Sequence, residues 1–183
     1  MKYIFILISM LMLTGCGNSM ELENRDFVMA VGIDRNEKYD ITMSVAKLTD
    51  GSNKENQEEY IVEGSGTTIG EALNDANNKT KGNIYLGHNK VIILSDNFDN
   101  YDDLIAYANS NIDMSRDTII VKSANVKEAV DKKNNDDSAS EYIYSYYENK
   151  EKIDLDKLID MYNSNKNIDF PEVYVENDKI IVK

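Results

Sequence analysis

One cysteine, one histidine, one proline and no tryptophan in 183 residues close off several chemistries at once. A lone cysteine has no partner for an internal disulfide, and one histidine plus one cysteine falls short of the three or four ligands that a zinc site takes. Positive charge is scarce as well: 20 Lys and Arg stand against 33 Asp and Glu, a net charge of -13. Nucleic-acid binders neutralise phosphate with clustered Lys and Arg, and no such cluster is present. The same acidic excess keeps the body soluble and predicts that it stands off anionic headgroups. Hydrolase signatures are missing too: no GxSxG, no HExxH, and no GK[ST] after the glycines of EGSGTT. No cofactor or metal is therefore expected.

What is present begins at the N-terminus. Lys2 precedes an apolar run from Tyr3 to Leu13 (YIFILISMLML), followed by Thr14, Gly15 and Cys16. The run is shorter than the ~20 residues of a spanning helix and fits the core of an export signal. Leu13-Thr14-Gly15-Cys16 resembles the bacterial lipobox, in which cleavage precedes a cysteine that carries diacylglycerol. Residues 1–15 are thus expected to be a lipoprotein signal peptide, Cys16 the lipidated residue, 16–26 a leash, and 27–183 one domain. One acyl chain holds a protein marginally, and two or more hold it durably.

The remaining chain reads as alternating strands and helices. Phe27–Ile33 (FVMAVGI) and Tyr39–Leu48 read as strands joined through Arg35–Lys38, with a polar loop at Asp50–Glu58 and a strand at Tyr60–Glu63. Thr68 with Glu71 forms a capping-box pattern ahead of Ile69, Ala72, Leu73 and Ala76. Gly64 and Gly66 read as a turn into that helix. A strand at Val91–Leu94, a helix through Leu104, Ile105 and Ala108, a strand at Thr118–Lys122 and a helix through Val126, Ala129 and Val130 follow. Residues 131–140 read as a polar break. Ser138 with Glu141 opens a Tyr-rich helix, Asp154 caps another bearing Leu155, Leu158, Ile159 and Tyr162, and Val173–Val182 reads as a hairpin turning at Asn177-Asp178. The pattern predicts an α+β (mixed α/β) domain: a mixed sheet with helices against it, then C-terminal helices and a terminal hairpin.

Several residues attract functional readings that simpler ones match. His88, the only imidazole, has no nucleophile or metal motif beside it, and a structural role within its turn is the preferred reading. Gly87 reads as a backbone angle closed to side chains. Tyr142, Tyr144, Tyr146 and Tyr147 read as packing with some tyrosine left over for a partner. Asp99, Asp102 and Asp103 lack the pattern of a calcium loop and fit helix capping.

Three stretches together resemble the Ger(x)C family, the lipoprotein C subunits of bacterial spore germinant receptors. The first is CGNSMELENRDFVMAVGID, in which Glu21, Leu22 and Glu23, then Val31, Gly32, Ile33 and Asp34, fit the family pattern; Gly17 and Met20 stand where the family usually has Trp and Arg. The second and most specific runs from IGEAL to IYLGHNKVIIL, with Tyr85, Gly87 and His88 in the family's aromatic-glycine-histidine turn. The third, from Asp113–Arg116 into IIVKSANVKEAV, is weaker. The resemblance covers the N-terminal domain of longer family members. It implies a non-enzymatic subunit, lipid-anchored on the outer face of the spore inner membrane, that assembles with a soluble-domain A-type and a polytopic B-type subunit in nutrient-triggered germination. A small solute-binding or enzymatic surface lipoprotein, or a truncated remnant, is the competing reading; the 168 residues left after cleavage (183 − 15) give little room for two lobes around a cleft.

Overall fold

The computed structural model describes residues 25–47, 59–134 and 136–183. The signal, Cys16, Glu21, the leash up to residue 24 and the polar loop expected at 50–58 lie outside them. The first strands are β1 (Arg25–Arg35), β2 (Tyr39–Lys47) and β3 (Glu59–Gly66), an antiparallel meander. Helix α1 (Ile69–Asn77) carries the chain across the meander to β4 (Asn83–Tyr85), a 3-10 turn (Leu86–His88) and β5 (Val91–Ser95), both strands parallel to β1. Helix α2 (Tyr101–Ser110) then crosses to β6 (Ile119–Ser123), parallel to β5. The sheet order is β3-β2-β1-β5-β6, with β4 beside the start of β1. The expected mixed sheet and α+β class are what the structure has.

Both faces of the sheet are covered. One packs Val31, Ile33, Ile41, Met43, Ile92, Leu94 and Ile120 against α1, α2 and α5 (Leu155–Asn163). The other packs Ala30, Val91, Ile93 and Val121 against α3 (Val126–Asp131), α4 (Ala139–Tyr147) and the terminal hairpin of β9 (Val173–Glu176) and β10 (Lys179–Val182). Strands β5 and β6, buried from both sides, are accordingly continuous aliphatic runs. In β1 the register shifts between Val28 and Ala30, so one extra residue, Met29, sends Val28 to the same face as Val31.

Local chemistry starts each helix. Thr68 accepts from Glu71 N (3.1 Å), and Glu71 reaches back one residue further than a capping box requires, accepting from Thr67 N (2.9 Å). Asn100, Asn125, Ser138 and Asp154 cap α2 to α5. Asp102 and Asp103 sit in the first turn of α2, as capping requires, while Asp99 pairs with Arg35 (3.3 Å). Asn177 and Asp178 turn the terminal hairpin with φ of 49° and 67°.

Two expectations change. Gly64 and Gly66 lie inside β3 and not in a turn: a Cβ at either would fall on the α1 backbone, within 2.5 Å of Ala76 N at position 64 and of Ala72 N at position 66. The glycines let the helix lie directly on the strand. The supposed break at 131–140 holds β7 (Lys133–Asn134) and β8 (Asp137–Ser138), pinned to the terminal hairpin because Asn134 Nδ2 donates to Ile180 O (2.9 Å) and its Oδ1 accepts from Ile180 N (2.7 Å).

Candidate functional site

The stretch IYLGHNK folds beside the start of β1. Residues 25–27 pair in parallel with 83–85, the chain makes its 3-10 turn, and Ala30 pairs with Val91. The turn thus spans the Met29 bulge. Leu86 anchors it in the core, and Lys90 N donates to Met29 O (3.0 Å). Asn89, 3% exposed, closes the arrangement: in the orientation that satisfies its amide, Nδ2 donates to Met29 O (3.2 Å) and Val91 O (3.0 Å). The Asn89 main-chain carbonyl accepts from the Thr118 hydroxyl (2.8 Å), which ties the turn to the start of β6. The buried side-chain amide thus bonds β1 and β5, and the main chain of the same residue bonds the start of β6.

The family-motif residues of the turn form one aromatic cluster. Phe27 is buried, with the Tyr85 ring edge-on at 5.8 Å and the His88 ring at 5.1 Å; Tyr85 and His88 are themselves 5.8 Å apart, and the Arg25 guanidinium lies 5.0 Å over Tyr85. His88 is exposed, and its ring packs on Phe27 and Tyr85, an arrangement that builds the imidazole into the surface of the turn. Gly87 is needed for a different reason from the one its sequence implied. Its φ is not left-handed; a Cβ there would collide with the Tyr85 ring.

Beneath this cluster sits Asp26, 3% exposed, which accepts from Gly82 N (2.8 Å) and from the Tyr60 hydroxyl. Burial, and secondarily Asp26, push the Tyr60 phenol up to about 12. A carboxyl group at the edge of an apolar run is the one sequence sign of this role.

Gly32 and Asp34 lie further along β1, away from the turn. A Cβ on Gly32 would come within 2.5 Å of Val126 Cγ1 and 2.8 Å of Val130 Cγ2, so glycine is what lets α3 settle on β1. Asp34 faces Asp40 across the β1–β2 pair at the mouth of an open groove of about 360 Å³ that also involves Glu63, Asp75, Lys79 and Lys127. Lys79 is bound to Asp75 (2.8 Å) and Glu63 O (2.9 Å), and Lys127 pairs with Glu63 (2.5 Å). The Lys79 hydrogen bond holds the Asp75 carboxyl below its usual range. Thus the cations lining this groove are already engaged.

The motif residues therefore divide into a turn cluster (Tyr85, Gly87, His88) and a separate pair on β1 (Gly32, Asp34), with Cys16 and Glu21 outside the described residues. Asn89 and Asp26, which hold the turn, carry no signature beyond polarity. On α4, Ile143 and Tyr147 are buried and Tyr144 is exposed, so the tyrosines mostly pack. Among the described residues, no group of three or more His, Cys, Asp or Glu is placed to hold a metal ion, and no helix is long and apolar enough to cross a membrane. The chain matches the family model described as the spore germination protein N-terminal domain over residues 18–171. No curated protein and no solved structure matches it.

Proposed function

The chain belongs to the spore germination protein N-terminal domain family, and from that membership we propose that it is a membrane-tethered, non-catalytic component of a spore germinant receptor. Its role lies in germination. The observation that carries the reading is the extent of the match, residues 18–171 or 154 of 183 positions, which includes the Tyr85–His88 turn, Gly32 and Asp34.

Diacylglycerol on Cys16 anchors the domain on the outer face of the spore inner membrane, and confinement to that surface raises the local concentration at which weak contacts with an A-type and a B-type subunit form. The aromatic turn, with His88 exposed and Tyr85 half-buried, favours protein contacts over turnover. Replacing Cys16 with Ala in the producing organism tests this. The expected result is loss of the protein from the spore membrane fraction and slower nutrient-triggered germination. Unchanged germination across nutrients after deletion of the gene would overturn the reading. Co-purification from spore membranes in mild detergent identifies the subunits that travel with it.

A further inference from the structure

Among the described residues, β3 is the last strand on its side of the sheet. An unpaired edge is a template for another chain, and proteins close such edges with charge or cover. Antiparallel strands turn the main-chain groups of alternate residues toward and away from their neighbour. In β3, Ser65 N and Glu63 O find side-chain partners, so residues 59, 61, 63 and 65 face away from β2. Ser65 N donates to Asp75 Oδ2 (3.0 Å), Glu63 O accepts from Lys79 Nζ (2.9 Å), and these two side chains pair with each other (2.8 Å). Asp75 lies on α1 and Lys79 just beyond it; both reach the edge because Gly64 and Gly66 let the helix lie on the strand.

We propose that Asp75 and Lys79 form a latch that keeps β3 from pairing with β3 of a second copy of this chain. The strand is suited to such pairing. Glu59-Tyr60-Ile61-Val62-Glu63 is nearly symmetric about Ile61, and a two-fold axis through Ile61 sets this residue opposite itself in an isologous antiparallel contact. The rungs of that register fall at Ile61 and at the two Glu59–Glu63 pairs. Both of the outer rungs need Glu63 O, which Lys79 holds. The ammonium thus occupies the acceptor, the carboxylate occupies the next outward donor, and the ion pair between them keeps each in place.

Two further features act in the same direction. The self-paired register sets Glu59 of each copy opposite Glu63 of the other, a repulsion that adds to the latch. The terminal hairpin is closed in a similar way: the Asn134 amide takes both main-chain groups of Ile180 in β10 (2.9 and 2.7 Å). Confinement to a surface, proposed above, raises the concentration of copies and with it the value of a closed edge. The latch itself is a property of the domain and is tested without a membrane.

The test uses the chain from Cys16 onward, with the thiol alkylated so that no disulfide links two copies. Asp75→Ala together with Lys79→Ala leaves the net charge unchanged. In sedimentation velocity this double variant is expected to associate at roughly tenfold lower concentration than the parent, with the same circular dichroism. Added salt is expected to strengthen that association by screening the Glu59–Glu63 contacts. In the same background, Ile61→Pro removes an N–H that points away from β2 and is expected to return the protein to monomer, as is Ile61→Lys. A double variant as monomeric as the parent overturns the latch, and so does association that survives both changes at Ile61. Neither result bears on the tether, which the chemical state of Cys16 in the exported chain decides.

Discussion

The two ends of the sheet are built on opposite plans. Where the strands start, polar groups are buried and engaged: Asp26 takes Gly82 N and the Tyr60 hydroxyl, Asn89 ties three strands, and Phe27, Tyr85 and His88 stack upon one another. Where β1 ends, Asp34 and Asp40 face each other across the ladder, and no ion pair engages either among the described residues. Side chains at the first end are fixed by partners whose loss leaves orphaned groups, so substitutions there cost stability. At the second end Tyr39 is likewise buried and bonded to Asp103 and Asn100, but Asp34 and Asp40 form no ion pair among the described residues, so their charge can be removed without breaking one. The strand starts fix position through buried polar groups, whereas the facing pair Asp34 and Asp40 displays charge.

The most damaging test of this contrast is Asp26→Ala, which leaves Gly82 N and the Tyr60 hydroxyl without their acceptor; a loss of about 3 kcal/mol is expected from urea unfolding. The same site predicts a pH dependence. The Tyr60 phenol is pushed from 10.0 up to about 12, first by burial and then by Asp26, so the fold favours its protonated form. Its stabilising contribution is complete below pH 10 and is lost as the pH rises from 10 toward 12. Subtracting the tyrosinate absorbance of Tyr60→Phe from that of the parent isolates this step. Asp26→Asn lowers the phenol only part of the way, since burial remains.

A second substitution acts between the two ends. Gly32→Ala drives a methyl group into Val126 and Val130, and a loss of about 2 kcal/mol is expected. Combined with Val126→Ala, part of that loss returns, and the double-mutant cycle measures how much of the strain lies in this contact.

Locally encoded features were legible before the structure: the apolar runs of β1 and β5, the caps at Thr68 and Asp154, the Asn177-Asp178 turn, and the grouping of Tyr85, Gly87 and His88. What escaped depends on distant partners. The Met29 bulge is invisible in FVMAVGI because a strand buried on both faces shows no alternation. Asn134 reads as part of a polar break because its partner, Ile180, is 46 residues away. Gly64, Gly66 and Gly87 were recognisable as special positions, yet the reason is close approach of another group in each case. Asn89 and Asp26 carry no such local signal, because burial, which gives a polar side chain its importance here, cannot be read from residue type.

His88→Ala asks less of the fold. The ring is exposed but packs on Phe27 and Tyr85, so its removal is expected to cost about 1 kcal/mol in thermal or urea unfolding and leave the sheet intact. Unchanged stability would mean that the ring is free for a partner and that the turn belongs with the displayed residues.

The smallest effect carries the opposite sign. Like charges directly across an antiparallel ladder repel, and Asp34→Asn removes one of them while keeping the side chain's shape. Stability is expected to rise by about 0.3 kcal/mol at low salt and the gain to shrink as ionic strength screens the pair. A gain that vanishes with salt identifies Asp34 as a charge held at the surface against local cost. A loss of stability instead would place Asp34 among the fixed groups, and the two ends would then share one plan.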